Sequence, residues 1–231
     1  MGRTIDVTTS WAASALFGGA GVFAKGAKKK PEKPLELYEY EACPFCRKAR
    51  VALTSLDLDA MIYPCPRNGP RYRSLVKERG GKAQFPYLVD PNSGREMYES
   101  DAIVSYLASE YGGARPLSVA MGPVSSFLSA LSSAPRAGRG RFYRSARAPE
   151  QPLELYSFEG SPYCRLVREA LCELEIPYLL HNVGKGSPKR AAFVERSGKM
   201  MVPYLIDPNT KREMFESADI VRYLDETYAL G

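Results

Sequence analysis

The chain has 231 residues, enough for one large domain or two small ones, and its 45% apolar and 25% charged residues exclude wholesale disorder. The net charge of +6 is uneven: residues 1–34 and 113–152 carry +4 and +5, while residues 35–112 and 153–231 carry −1 and −2. That pattern fits two near-neutral domains preceded and joined by basic segments, and it excludes a uniformly cationic nucleic-acid binder. Five cysteines do not make a disulfide framework, and the odd count leaves at least one thiol unpaired. The longest mainly apolar run, residues 11–24, is 14 residues with three glycines, short of the ~20 a membrane-spanning helix needs. Asp6 stands where an N-myristoylation pattern requires Ser or Thr.

Residues 1–34 are rich in Ala, Ser, Thr and Gly with few acids, a weakly transit-like composition. The apolar stretch precedes its basic run (Lys25, Lys28, Lys29, Lys30), the reverse of a secretory signal. From residue 31 onward the chain repeats itself. Residues 31–38 read PEKPLELY and residues 149–156 read PEQPLELY, 118 positions later. CPFCRKARVAL (43–53) lies over SPYCRLVREAL (161–171), and FPYLVDPNSGREMYES (85–100) over VPYLIDPNTKREMFES (202–217), now at an offset of 117. One residue is therefore lost within 64–73 or its partner 182–187. The repeated unit of about 80 residues is a whole small domain.

Each copy predicts the same elements in the same order. Residues 35–39 and 153–157 alternate like strands. Residues 44–56 and 162–174 read as helices with Pro in the first turn, where its missing N–H costs nothing. Short strands at 60–63 and 178–181 and polar helices at 71–79 and 188–196 follow. A hairpin joins 86–89 to 96–98 across Asp90-Pro91-Asn92-Ser93-Gly94, and the second copy turns at Asp207-Pro208-Asn209. Final helices at 100–111 and 217–228 are expected to start on a Ser cap, with Ile103, Val104 and Leu107 as the apolar stripe of the first. The fold class is α/β: two tandem βαβαββα domains.

Cys43-Pro44-Phe45-Cys46 lies where the first strand gives way to the first helix. The helix N-terminus there aims free N–H groups at the Cys43 sulfur and favours thiolate. Arg47 and Arg50 are expected to add positive charge one turn on, with Glu41 opposing. Cys46 is close enough to resolve a mixed disulfide on Cys43. A buried structural pair is the plainer alternative. Zinc is not expected, because no second CxxC exists and His181 is the sole histidine. Pro86 and Pro203, each opening a strand near this site, suggest cis peptides. Glu99-Ser100 and Glu216-Ser217 begin the last helices, where a hydroxyl and free N–H groups can take a carboxylate or simply cap the helix.

A strand, CPFC, a helix, FPYL and YESDAIVSYL resemble glutaredoxins and the glutathione-binding N-terminal domain of glutathione S-transferases. Two such domains in tandem, with PEKPLELYEYEACPFCRKAR and YPCPRNG, resemble a family of plastid proteins of plants and algae. The resemblance covers about 80 residues of each half and leaves both basic segments largely unexplained. It implies a thioredoxin-like fold, glutathione as co-substrate, Cys43 as nucleophile and Cys46 as resolving thiol. It also implies that Phe85 and cis-Pro86 hold the cysteinyl part of glutathione and that Glu99 and Ser100 hold its γ-glutamyl end. Val202, Pro203, Glu216 and Ser217 match these positions in the second copy. A chloroplast location, in the stroma or at the thylakoid surface, follows from the same resemblance.

Two departures bear on activity. Ser161 stands at the nucleophile position of the second copy with Cys164 at the resolving one, so that half cannot run dithiol exchange. Some transferases use a serine near here to stabilise bound thiolate, while an inert structural copy fits equally. No all-helical domain follows either repeat, which makes conjugation the weaker expectation. Cys65 is expected to be an unreactive loop thiol, Cys172 a packing residue and His181 an ordinary strand residue; Trp11 has no assignment.

Val124, Phe127, Leu128 and Leu131 fall at helical spacing, followed by Arg136, Arg139, Arg141, Arg144 and Arg147. An apolar face beside a basic run could lie on an anionic membrane surface, or be a short packed helix with a solvated linker. The leading expectation is a glutathione-dependent thiol–disulfide oxidoreductase acting on protein disulfides or glutathionylated proteins, with Cys43/Cys46 its one complete site. A non-catalytic binding or assembly protein at a plastid membrane, and a transferase, are the alternatives.

Overall fold

The computed structural model describes residues 3–16, 19–112, 136 and 138–230; the segment around Val124, Phe127, Leu128 and Leu131 lies outside them. An opening helix, α1 (Arg3–Leu16), precedes two copies of one element order. The first is β1 (Leu35–Glu39), α2 (Pro44–Ser55), β2 (Ala60–Pro64), α3 (Tyr72–Gly80), β3 (Tyr87–Asp90), β4 (Arg95–Tyr98) and α4 (Ser100–Tyr111). The second is β5 (Leu153–Ser157), α5 (Pro162–Glu173), β6 (Tyr178–Asn182), α6 (Lys189–Ser197), β7 (Tyr204–Asp207), β8 (Arg212–Phe215) and α7 (Ser217–Tyr228). Element ends differ from the sequence expectation by about a residue, within the usual fraying of such boundaries.

Local chemistry accounts for the shared frame. Cys43 and Ser161 take extended backbone as N-caps, each side chain accepting from the amide three residues on, and Pro follows at the first helical position. In each copy the edge hairpin is pinned to the last helix by one buried aspartate. Asp90 accepts from the hydroxyls of Tyr106 and Tyr111, and Asp207 from those of Tyr223 and Tyr228. Both carboxyls lie below the usual range: burial pushes them up, but the hydroxyl bonds outweigh it.

The copies do not stand as separate beads. Within each, the first strand runs parallel to the second and antiparallel to the third. Then β2 pairs antiparallel with β6, placing Ala60, Met61 and Ile62 opposite Leu180, Leu179 and Tyr178. The result is one eight-stranded sheet of order β4-β3-β1-β2-β6-β5-β7-β8. Each copy alone would leave this strand edge open, and each closes the other's.

Behind that seam α2 and α5 bring together buried ions. Arg50 donates to Glu159 across the seam at 2.9 Å and to Glu39 on its own side. Arg168 reciprocates, meeting Glu41 at 3.0 and 3.1 Å and Glu159 at 2.9 Å. Arg47 lies 3.1 Å from Glu159. All these side chains are 1–2% exposed. Neutral contacts flank the ions: the Glu159 amide donates to Thr54 Oγ1, and the Glu41 amide to Cys172 Sγ, Thr54 and Cys172 being equivalent positions.

The segments before each copy belong to the duplication too. Lys185 donates its amide to the Val22 carbonyl, and Arg67 donates to that of Arg141. Lys25 donates to Ser55 as Arg144 does to Glu173, and Lys28 to Tyr111 as Arg147 does to Tyr228. Each segment thus reaches first across the seam, or along it, and then back. Gly21 and Gly140, both at positive φ, let the chain press close; a Cβ on either would sit 2.7 Å from the Cβ of Glu159 or Glu41.

Removing one guanidinium from this cluster should cost far more than removing a surface one. Arg50→Met, which strands Glu39, is expected to lower the unfolding free energy by about 3–5 kcal/mol in urea titrations. Arg222→Ala, breaking the exposed pair with Asp219, should cost under about 0.5 kcal/mol. Similar midpoints for the two variants would mean that the cluster does not secure the seam.

Candidate thiol site and its altered twin

The loop from β1 into α2 carries Tyr40, Glu41, Ala42 and Cys43. It is held largely by the opposite half: Arg168 grips the Glu41 carboxylate, Cys172 accepts the Glu41 amide and Gly140 O accepts the Ala42 amide at 3.3 Å. Cys43 therefore sits on a clamped loop. Its Sγ accepts the Cys46 amide at 3.2 Å and lies 4.0 Å from the Phe85 carbonyl. Burial pushes the Cys43 thiol up, but hydrogen bonds from the Cys46 thiol and amide and from the Phe45 amide outweigh it, so it lies below the ordinary thiol. Cys46 is held well above, by burial and by its bond to Cys43. The helix-start amides the sequence points to do lower Cys43, but the arginines it adds as a second cause do not serve the thiol. Arg47 and Arg50 turn away into the seam, to Glu159 and Glu39; burial is outweighed by carboxylates for Arg50 but not for Arg47.

Cys43 and Phe85 line one cavity of about 350 Å³, together with Tyr40, Arg67, Arg73, Gln84 and Arg141. Phe85–Pro86 and Val202–Pro203 are both cis, as the sequence suggests. Glu99 reaches the rim through Gln84, whose amide donates to its carboxylate. Ser100 and Ser217 are buried at the helix start, but they are not caps. Glu99 and Glu216 hold that position, at φ of 68° and 67° and without a side-chain cap bond. The chain leaves each hairpin too sharply for ordinary backbone, and the glutamates absorb the turn.

In the second copy Ser161, Val202, Pro203, Glu216 and Ser217 all line one cavity of about 640 Å³. Its backbone frame is the same: Ser161 Oγ accepts the Cys164 amide at 3.3 Å. Its walls are not. Phe158 replaces Tyr40, Val22 replaces Arg141, and Met200 and Met201 replace Ala83 and Gln84. Trp11 of α1 closes one side, meeting Tyr163 edge-on at 6.4 Å, while Ser10 Oγ donates to Pro162 O at 2.7 Å. Cys164 is raised by burial. One half presents a basic thiol site, the other a wider apolar one.

Tyr40, Arg67, Arg73 and Arg141 are functional candidates that motif reading passes over. Aligning the two copies exposes Tyr40, since YEYEAC changes to YSFEGS. Arg141 has no such signal, because it comes from the linker. Of the linker arginines Arg136 is buried, while Arg139, Arg141, Arg144 and Arg147 are exposed as a solvated run would be, Arg144 and Arg147 still meeting partners on the second copy. Arg136 is buried and bidentate on Glu169 at 2.8 and 2.6 Å, Arg144 pairs with Glu173 and Asp225, and Arg147 lies over Tyr228. Cys65 and Cys172 are buried and raised well above the ordinary thiol by desolvation, as structural thiols should be. His181 stacks on Tyr156 between Asp59 and Glu154. Among the described residues no cluster of His, Cys, Asp or Glu could hold a metal ion, and no helix is long and apolar enough to cross a membrane.

A model of the glutathione S-transferase N-terminal domain matches the chain twice, over residues 37–115 and 155–230. Among solved structures the chain is similar to TDR1 of Leishmania, described as a unique trimeric glutathione transferase. Identity is 14%, covering 85% of this chain and 69% of that one, at a TM-score of 0.31. No curated protein matches.

The thiol order is open to direct measurement. In iodoacetamide alkylation followed by peptide mapping, Cys43 should be the first thiol to react as the pH is raised, ahead of an ordinary free thiol. Cys46, Cys65, Cys164 and Cys172 should lag. Earlier modification of Cys65 or Cys164 would remove Cys43 from its assigned place.

Proposed function

The chain belongs to the glutathione S-transferase N-terminal domain family, twice over, and on that premise we propose that it is a glutathione-dependent thiol–disulfide oxidoreductase with one dithiol site. The observation that carries the reading is the opposed state of two adjacent thiols: Cys43 lowered and facing a cavity, Cys46 buried and raised. A nucleophile must be thiolate near neutral pH, whereas a resolving thiol should stay protonated until needed.

The chemistry follows from that pair. Cys43 thiolate attacks the glutathione sulfur of a glutathionylated protein, forming a Cys43–glutathione disulfide while the protein thiolate leaves and takes a proton. A second glutathione thiolate then attacks the glutathione sulfur of that disulfide, giving oxidised glutathione and freeing the Cys43 thiolate; alternatively Cys46, after losing its proton, attacks the Cys43 sulfur, releases reduced glutathione and leaves a Cys43–Cys46 disulfide that two further glutathiones reduce. The Phe85 backbone at cis-Pro86 lies beside Cys43 and would pair with the cysteinyl part of glutathione. Glu99 and Ser100 are assigned its γ-glutamyl end. The chloroplast address implied by resemblance belongs to the same proposal and is checked by imaging a fluorescent fusion of the full chain.

A transferase reading has its own support in the second copy. Ser161 sits at the helix N-terminus in an apolar cavity of about 640 Å³, room for glutathione and a hydrophobic electrophile. It predicts conjugation that survives Cys43→Ser and is lost in Ser161→Ala.

Reduction of a glutathionylated peptide by the full chain tests the leading proposal. Cys43→Ser should lower the rate at least about 100-fold, since covalent catalysis needs the thiolate. Ser161→Cys should form a disulfide with Cys164 in oxidising glutathione buffer, because the frame at 161–164 already matches 43–46. Equal rates for wild type and Cys43→Ser would leave only the binding or transferase readings.

A further inference from the structure

Beside the thiol cavity lies a second cavity of about 320 Å³, formed where the β1–α2 loop, α5 and the linker meet. It shares Tyr40 and Arg141 with the Cys43 cavity. Its charged lining is Arg136, Arg139, Arg141, Arg165, Glu41 and Glu169. Both carboxylates are already taken. Glu41 is bidentate on Arg168 at 3.0 and 3.1 Å, and Glu169 is bidentate on Arg136 at 2.8 and 2.6 Å.

Arg165 is different. Its side chain is 4% exposed, and neither its Nε nor its Nη2 has a hydrogen-bond acceptor. Its nearest carboxylate oxygen, Glu159 Oε1, is 3.6 Å away and lies closer to Arg47 at 3.1 Å. The other oxygen of Glu159 serves Arg50 and Arg168, both at 2.9 Å. Around this part of the seam the buried guanidiniums Arg47, Arg50, Arg136, Arg165 and Arg168 face the buried carboxylates Glu39, Glu41, Glu159 and Glu169. Half-buried Asp6 adds a fifth carboxylate, 3.6 Å from Arg136 and 3.7 Å from Arg139, but none of the five gives Arg165 Nε or Nη2 a hydrogen bond. The strain shows in Arg47, drawn down to about 9 by burial and by the neighbouring Arg165, and in Arg165 itself, lowered by desolvation. Guanidinium does not shed its proton in a protein, so a buried one short of acceptors calls for an anion. Its planar fork fits the paired oxygens of a carboxylate or phosphate.

We propose that this cavity is a binding site for a small oxyanion group, a carboxylate or a phosphate, held by Arg165 at its floor and by Arg139 and Arg141 at its mouth. The bound group supplies the acceptors that Arg165 lacks, and its ligand extends toward Tyr40 at the edge of the thiol cavity. The site has no counterpart in the second copy's lining, where Val22 stands for Arg141. It does not depend on the redox proposal.

Calorimetric and thermal-melt titrations of the full chain with inorganic phosphate and, separately, with succinate provide the test, at constant ionic strength set by chloride. One saturable site per chain and a rise in Tm are expected for at least one of the two. The better ligand tells phosphate esters from carboxylic acids as the source. Arg165→Gln should abolish the anion-dependent rise in Tm while leaving the anion-free Tm unchanged or higher, an outcome that mere structural damage would not give. Should that variant fail to fold, the surface pair Arg139→Gln/Arg141→Gln carries the test, with binding weakened at least tenfold. Arg95→Gln/Arg212→Gln, remote surface arginines, should leave binding unchanged. Excess glutathione should not displace phosphate. No saturable binding of either anion, full binding in Arg139→Gln/Arg141→Gln, or displacement by glutathione would each overturn the proposal.

Discussion

The reciprocal ion pairs across the seam, Arg50 to Glu159 and Arg168 to Glu41, are the constraint on which the rest of the molecule depends. Charges this deep are costly to desolvate and return little net stability as a whole. What they impose is geometry, because each must keep its partner or be left bare. Glu41 is two residues before Cys43, so the guanidinium that satisfies it also fixes the loop entering the thiol site. The candidate thiol site of the first half is therefore positioned by the second. The β2–β6 pairing acts in the same direction, since each copy's open strand edge is the other's neighbour.

Against this shared frame the two halves have diverged at a few seam positions, such as Glu39 to Ser157 and Val51 to Glu169, and together in their cavity walls. Cap geometry at Cys43 and Ser161, cis prolines, left-handed glutamates and the aspartate–tyrosine pins coincide. The wall changes cluster at one place: thiol to hydroxyl, Tyr40 to Phe158, Arg141 to Val22, Gln84 to Met201. Each replaces a polar or ionisable group by a less polar or unreactive one. Loss of the sulfur alone would leave an abandoned site. Concerted change of its surroundings, with α1 and Trp11 laid alongside, marks a cavity reshaped around apolar surface.

Much of the fold was legible because duplication supplies its own check: a strand or helix read in one copy had to appear in the other. CPFC before a helix, and proline before a strand, point to a thiol site through local rules of helix ends and prolyl peptides, and Cys43 and Phe85 do meet. The seam was not legible. Edge pairing leaves no mark on sequence beyond ordinary strand residues, and Arg47 and Arg50, one turn after Cys43, read naturally as charges serving the thiol. Only long-range packing shows that they serve glutamates instead. The same holds for Arg136, which reads as one more solvated arginine of the exposed linker run until it is found buried and chelating Glu169. Ser100 misled for a local reason, since a serine before a helix usually caps it, and here the left-handed Glu99 has taken that place.

A buried charge cluster that must be kept and a thiol that need not be explain which residues of the second copy were free to change. Cys43 became Ser161 without loss of the helix cap, because a hydroxyl oxygen accepts the amide of residue 164 as sulfur does that of residue 46. Glu159, Arg165 and Arg168, within seven residues of that change, match Glu41, Arg47 and Arg50. Glu159 and Arg168 answer to the opposite half, where Arg50 or Glu41 would otherwise be left buried without a partner. Cys172 for Thr54 is tolerated at the seam for the converse reason, since either side chain accepts one amide there. The second copy thus works as the first copy's scaffold whatever its own cavity binds. Its electrostatics kept the residues that cross the seam, while Glu39 gave way to Ser157, whose hydroxyl still accepts from Arg168.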